Sequence, residues 1–187
     1  AGMLTLAGDS PQHFLARGPY TVADDAIAAY AAGSAGRGSV RAIARDLCAR
    51  IHRDFAYDGT ATTVATSAVD AFALKRGVCQ DFSHVMIAGL RSLGVPAGYV
   101  SGFLRTIPPP GKERLEGADA MHAWVKVWCG RDGGWIEFDP TNDMLAGNDH
   151  IVVGYGRDYS DVAPIVGVFR TSGGQEGEQK VDVIPVG

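Results

Sequence analysis

Residues 79–94 read CQDFSHVMIAGLRSLG, and the fold is decided by how they are read. Phe82, Val85, Met86, Gly89, Leu90 and Leu93 recur at helical spacing, and Gly94 with Pro96 closes the run. The spacing therefore predicts a helix with Cys79 at its N-terminus. Upstream, Val40, Ile43, Ala44, Leu47, Cys48, Ile51 and Phe55 form the apolar stripe of a second packed helix. Between the two, after a polar segment at 57–66, Ser67 and Asp70 fit the capping box of a third, with Gly77 as its C-terminal stop. Downstream the pattern changes to β-like runs at 97–104, 123–128, 135–139, 151–155, 165–170 and 181–186, separated by Gly, Asp or Pro. Helices first and strands afterwards predict an α+β domain with the helices packed on an antiparallel β-sheet.

The flanks are softer. Residues 1–38 are rich in Ala, Gly, Ser and Asp, with one helix expected over 21–32, and read as an N-terminal arm or domain boundary ahead of a core spanning 39–187. The stretch RTIPPPGKERLEGAD at 105–119 is too proline-rich and charged for a core, and leads directly to His122, so it is expected to overhang the site. TSGGQEGEQ at 171–179 reads as a hairpin loop.

Composition excludes several classes. The chain has 187 residues, 46% of them hydrophobic, with 17 Lys and Arg against 21 Asp and Glu, a net charge of −4. No basic field exists to hold nucleic acid or an anionic membrane. Three cysteines without a CxxC pair argue against a disulfide framework and a structural zinc site, and fit a cytoplasmic setting. Neither a metal nor a cofactor is expected.

The chemistry rests on one thiol. A thiolate is the nucleophilic form of cysteine, and a helix N-terminus favours it through free N–H groups and the macrodipole. The same N–H groups can hold the oxyanion of an acyl-transfer intermediate. Cys79 alone has that placement, flanked by polar Gln80 and Asp81; Cys48, on a helical stripe, and Cys129, at a strand end, read as buried small hydrophobes.

A cysteine nucleophile needs a base, and the base needs an orienting group. In MHAWVKVW, 121–128, the even positions His122, Trp124, Lys126 and Trp128 share one strand face; in WIEFD, 135–139, the odd positions Trp135, Glu137 and Asp139 share one. CGRDGG between them is a hairpin-type connection. If opposed residues sum to an odd number, as with Trp124 opposite Asp139, the two faces coincide and His122 lies within reach of Asp139. An even sum would separate them. The other histidines carry less: His84 points round the helix from Cys79, His52 lacks a third ligand to join it and Cys48, and His13 and His150 lie in loop-like sequence. Gly154 and Gly156 form a bare GxG without a dinucleotide fold's pattern.

RGVCQDFSHVMIAGLRSLGVPAGYVSGFL at 76–104, DAMHAWVKVW at 119–128, GWIEFDPTND at 134–143 and HIVVGYGRDYSDVAPIVGVF at 150–169, in this order, resemble the core of bacterial transglutaminase-like proteins. The resemblance covers about 57–170. It implies a papain-like α+β core in which Cys79 is the nucleophile, His122 the base and Asp139 the orienting carboxylate. It further implies a side-chain oxyanion donor upstream of the cysteine, for which Tyr57 is the candidate. Gln80 and Trp124 are further candidates for oxyanion or substrate contacts, Trp124 as a cleft wall or, equally, as sheet packing. Arg157, Asp158 and Asp161 are expected from the resemblance to brace the site. Many relatives carry a β-rich region ahead of this core that has almost no counterpart here.

The activity expected is cysteine-dependent acyl transfer on a peptide or protein amide through a thioester, by hydrolysis or transamidation. Two other readings use the same residues: a non-catalytic peptide-binding module, and an arylamine acetyltransferase-like enzyme with a coenzyme A donor.

Overall fold

A computed structural model describes residues 10–106, 119–164 and 180–185. The expected helices are present as α1 (Asp25–Ala32), α2 (Val40–Asp54), α3 (Ala68–Leu74) and α4 (Cys79–Ser92). Two short strands, β1 (Ala56–Tyr57) and β2 (Arg76–Gly77), pair in parallel, and then come β3 (Ala97–Leu104), β4 (Ala120–Trp128), β5 (Trp135–Asp139), β6 (Met144–Leu145) and β7 (His150–Gly156). The last five form one sheet in the order β6-β5-β4-β3-β7, every neighbouring pair antiparallel. This is the α+β architecture read from the sequence.

α4 is the central element. It packs on α1, α2 and α3 as well as on β3 and β4, and every residue from Gln80 to Leu90 is buried. A helix covered on one side would show the stripe that periodicity detects; this one also buries Ser83 and His84. The sheet face toward α4 carries Ala97, Tyr99, Ala123, Val125, Val127 and Phe138, which join Leu47, Ile51, Phe82, Met86 and Leu90 in a single core.

Local chemistry sets the element ends. Ser67 caps α3, accepting from the Asp70 N–H at 3.2 Å and donating to the Asp70 carboxylate at 2.7 Å. The stop differs from the expected Gly77: α3 ends at Leu74, and Lys75 takes the left-handed turn at φ 53°. Lys75 offsets that strain by placing its ammonium 3.1 Å from the Phe72 ring centroid, with the Tyr30 and Phe55 rings also in range.

Within residues 1–38, the described part from Ser10 onward lies against the core. Phe14, Ile27 and Ala31 are buried, and Asp158 accepts from the Tyr20 N–H at 3.0 Å. Residues 107–118 and the strand expected at 165–170 fall outside the described residues, as does the 171–179 loop. Residues 181–185 form no strand; the chain there is held to Asp119, whose N–H donates to the Val181 carbonyl and whose carboxylate accepts from the Val183 N–H. Among the described residues no helix is long and apolar enough to cross a membrane.

Candidate active site

The N-terminus of α4 is built by its own first turn. Asp81 reaches back to accept the Val78 N–H at 2.8 Å and the Thr62 hydroxyl at 2.6 Å, so one carboxylate fixes both the helix start and the 57–66 segment beside it. Gly77 makes room: at its φ of 156°, a Cβ would fall 2.4 Å from an Asp81 oxygen. The β1–β2 pair aligns Tyr57 with Gly77, which sets Tyr57 next to Cys79.

On the sheet, Val125 pairs with Phe138 and Lys126 with Glu137, the odd-sum register. His122 and Asp139 accordingly share a face, and the His122 Nε2 lies 2.8 Å from Asp139 Oδ2. The imidazole also shares its cleft with Cys79, near enough for the sulfur to act on its charge. With Nε2 taken by Asp139, Nδ1 is the nitrogen left for the thiol. Asp139 is fully buried and richly solvated by protein: Oδ1 accepts the N–H groups of Thr141 (2.9 Å) and Asn142 (3.1 Å), and Oδ2 accepts the Asn142 amide at 2.7 Å.

These contacts set the charges. Burial is the largest single influence on Asp139 and opposes ionisation, yet the bonds from His122, His150 and Asn142 hold its carboxyl well below the usual range. Burial likewise disfavours a charged His122 most strongly, but the bonds to Asp139 and Cys79 and the negative charges of both push it up to about 9. His122 is therefore an imidazolium at neutral pH, a positive charge in the cleft that Cys79 lines. Burial pushes the Cys48 thiol up to about 12 and raises that of Cys129, which disfavours the reactive thiolate of both.

Tyr57, Cys79, Leu104, Arg105, Ala120, Met121, His122, Asn142 and Met144 line a cleft of about 450 Å³. Tyr57 is 65% exposed there. Two of the candidates lie outside the cleft lining, Trp124 by the sheet-packing alternative and Gln80 against expectation. Trp124 does not wall the cleft: it is fully buried, stacks beside His122 with ring centroids 6.0 Å apart, and donates its indole N–H to Glu137 at 2.6 Å. The Gln80 side chain does not enter the cleft either, since its amide donates to the Val64 carbonyl at 3.0 Å and ties the 57–66 segment to α4. Arg157, Asp158 and Asp161 are absent from the cleft lining. Arg157 pairs with Asp161 at 2.8 Å, and Asp158 fastens the N-terminal segment.

Sequence reasoning missed Asn142 and His150. His150 Nε2 lies 3.1 Å from Asp139 Oδ2, and its side chain is 1% exposed. Asn142, three residues after Asp139 in FDPTN, was readable as an Asx-type turn partner. His150 was hidden by a bulge. β3 and β7 pair Val100 with Tyr155 but Gly102 with Val152, a one-residue shift that turns His150 onto the face of His122 and Asp139.

His122, Asp139 and His150 present ligand atoms within 4.8 Å of one another, as a metal site would. The protonation pattern does not fit one. Gly147 donates its N–H to His150 Nδ1 at 3.2 Å, so Nδ1 is bare and the proton sits on Nε2, the atom a metal would need.

A cysteine at a central helix start, with a histidine and an aspartate on the adjoining antiparallel sheet, defines the papain-like class of fold. Within it, the chain belongs to the transglutaminase-like superfamily, whose family model matches residues 26–140 and so includes α1. The chain is 45% identical over 166 residues to an uncharacterized protein of Mycobacterium tuberculosis, covering 86% of this chain and 53% of that one. An uncharacterized protein of Mycobacterium leprae is 41% identical over 125 residues, covering 65% and 42%. The chain thus spans about half the length of these curated relatives. A solved candidate cysteine protease from Cytophaga hutchinsonii aligns at 30% identity with a TM-score of 0.69, covering 84% of this chain and 50% of that one. The periplasmic domain of TgpA from Pseudomonas aeruginosa, at 23% identity and TM-score 0.53 over 73% of this chain and 49% of that one, shares the fold.

Proposed function

We propose that the protein is a cofactor-free cysteine amidase or acyl transferase acting on peptide or protein amides. The observation that carries this is that Cys79, at the start of α4, lines one cleft with His122, which is bonded through Nε2 to a buried Asp139. The Cys79 sulfur attacks the amide carbonyl and forms a C–S bond. The oxyanion that develops lies at the start of α4, within reach of its free N–H groups and of the Tyr57 hydroxyl. As the C–N bond breaks, His122 gives its proton to the leaving amine. Water or an amine then attacks the thioester, His122 takes the proton back, and the thiolate–imidazolium pair is restored.

Hydrolysis, or exchange on short peptides, is favoured over protein crosslinking. A cleft bordered by Tyr57, Met121 and Met144 suits a slender chain, and water competes readily in a site whose tyrosine is largely exposed. Incubation with a glutamine peptide and excess primary amine tests this, with ammonia release and little amine adduct expected. Dominant amine incorporation would reverse the preference. Absence of turnover of any amide by a longer chain carrying this domain would favour the peptide-binding reading instead.

A further inference from the structure

Resting on that reading, we propose that His150 is a second, positioning imidazole of the site, acting through Asp139 rather than on the substrate. Asp139 Oδ2 receives His122 Nε2 at 2.8 Å and His150 Nε2 at 3.1 Å, so one oxygen is gripped by two imidazoles. Their roles differ by tautomer. His150 accepts from Gly147 on Nδ1, which fixes its proton on Nε2 and makes it a donor to the carboxylate without becoming charged. His122 keeps Nδ1 for Cys79.

The surroundings are built to hold this arrangement. Trp124 lies against both rings, stacked on His122 and edge-on to His150 with centroids 5.1 Å apart, while the two imidazole centroids are 6.1 Å apart. Its indole is fixed by Glu137, which also accepts from the Tyr155 hydroxyl at 3.0 Å. The β7 bulge allows Tyr155 and His150 to serve the same face, which strict alternation along an unbroken strand would forbid. Gly102, opposite His122 on β3, leaves the space: a Cβ there would fall 2.1 Å from the Ile151 carbonyl oxygen and 2.6 Å from the Trp124 ring.

The consequence is chemical. Asp139 and His150 are shielded from water, so losing the His150 N–H leaves a buried carboxylate one partner short. The carboxylate can then turn away from His122 or take its proton. Either change removes the imidazolium that faces Cys79.

Two measurements test the proposal. Long-range ¹H–¹⁵N correlation spectra of the histidine-labelled wild-type chain should show His150 as the neutral Nε2–H tautomer, assigned by the signals lost in His150→Gln. Iodoacetamide labelling with peptide mapping should show Cys79 slowed about tenfold in His150→Leu and restored to within about threefold of wild type in His150→Gln, whose amide N–H can replace Nε2–H. An Nδ1–H tautomer overturns the proposal, as does wild-type labelling in His150→Leu or equal slowing in both variants, which would mark a space-filling role. A wild-type Cys79 no faster than Cys129 would instead remove the triad reading, and this proposal with it. Should His150→Leu fail to fold, the tautomer in the wild-type chain still decides.

Discussion

The proton on His122 is what the site controls. Burial alone would make this ring a weaker base than a free histidine, and only the bonds and charges of Asp139 and Cys79 raise it to about 9. Turnover of a glutamine peptide is therefore expected to fall as pH rises through about 9, where the leaving amine loses its proton donor. Asp139→Asn removes a raising influence and leaves burial in place, so the same edge should move down toward or below the ordinary histidine value of about 6.5, with activity at neutral pH reduced by about a thousandfold. An unmoved edge in the pH–rate profile would disprove the coupling. Stability follows the same titration. The raised His122 contributes stability that is complete below about pH 6.5 and lost as pH rises through about 9. The depressed Asp139 contributes stability that is complete above the ordinary carboxylate range and lost as pH falls below it. Denaturant midpoints of wild type and Asp139→Asn across the alkaline window should converge as His122 deprotonates. Among the thiols, Cys79 should alkylate first with limiting iodoacetamide, because Cys48 is fully buried and held neutral and Cys129 lacks an imidazole partner among the described residues. Peptide mapping that finds Cys129 labelled first would contradict this.

At the level of elements, the site is a junction between the start of α4 and the β4–β5 hairpin, and each side depends on backbone detail. Gly77→Ala would drive a methyl group into the Asp81 carboxylate and displace it from the Val78 N–H and the Thr62 hydroxyl. The expected cost is about 1 to 3 kcal/mol of stability together with slower Cys79 alkylation, since the helix start itself shifts. A loss of stability with unchanged alkylation would show that Asp81 does not position Cys79. The junction also shows what a sequence can disclose. Helices α2 and α4 and strands β3 and β5 are written in apolar periodicity, and parity along β4 and β5 places His122 and Asp139 on one face once the register is odd-sum. The β7 bulge breaks parity where it matters, so nothing in HIVVGYG signals that His150 turns inward. Trp124 shares the His122 face as parity predicts and takes the sheet-packing alternative, while Gln80, beside Cys79 in sequence, turns its amide to Val64 instead of the cleft.

For the whole molecule, the segment ahead of α2 acts as a clamp on the side of α4 and the sheet, while Cys79 and His122 line a separate cleft. Asp158, fully buried, accepts from the Tyr20 N–H and from the Thr21 hydroxyl at 3.4 Å, and from the N–H and hydroxyl of Ser160. Arg91 completes the clamp from α4, donating to the Phe14, Ala97 and Arg157 carbonyls and to the Thr21 hydroxyl. Gly18 closes against Asp158 so tightly that a Cβ would lie 2.0 Å from its carboxylate. None of Asp158, Arg91 or Thr21 lines the cleft of Cys79. Asp158→Ala strips the partner from several donors at once, and removes one of the two carboxylates, the other being Asp161, whose charges favour the Arg91 cation. We expect a loss of about 2 to 4 kcal/mol in denaturant unfolding. Below the unfolding transition, the rate of Cys79 alkylation should stay within about twofold of wild type, because neither Asp158 nor the groups it holds line the cleft. If the rate instead falls with stability, the clamp and the site are one cooperative unit, and the N-terminal segment belongs to the catalytic apparatus.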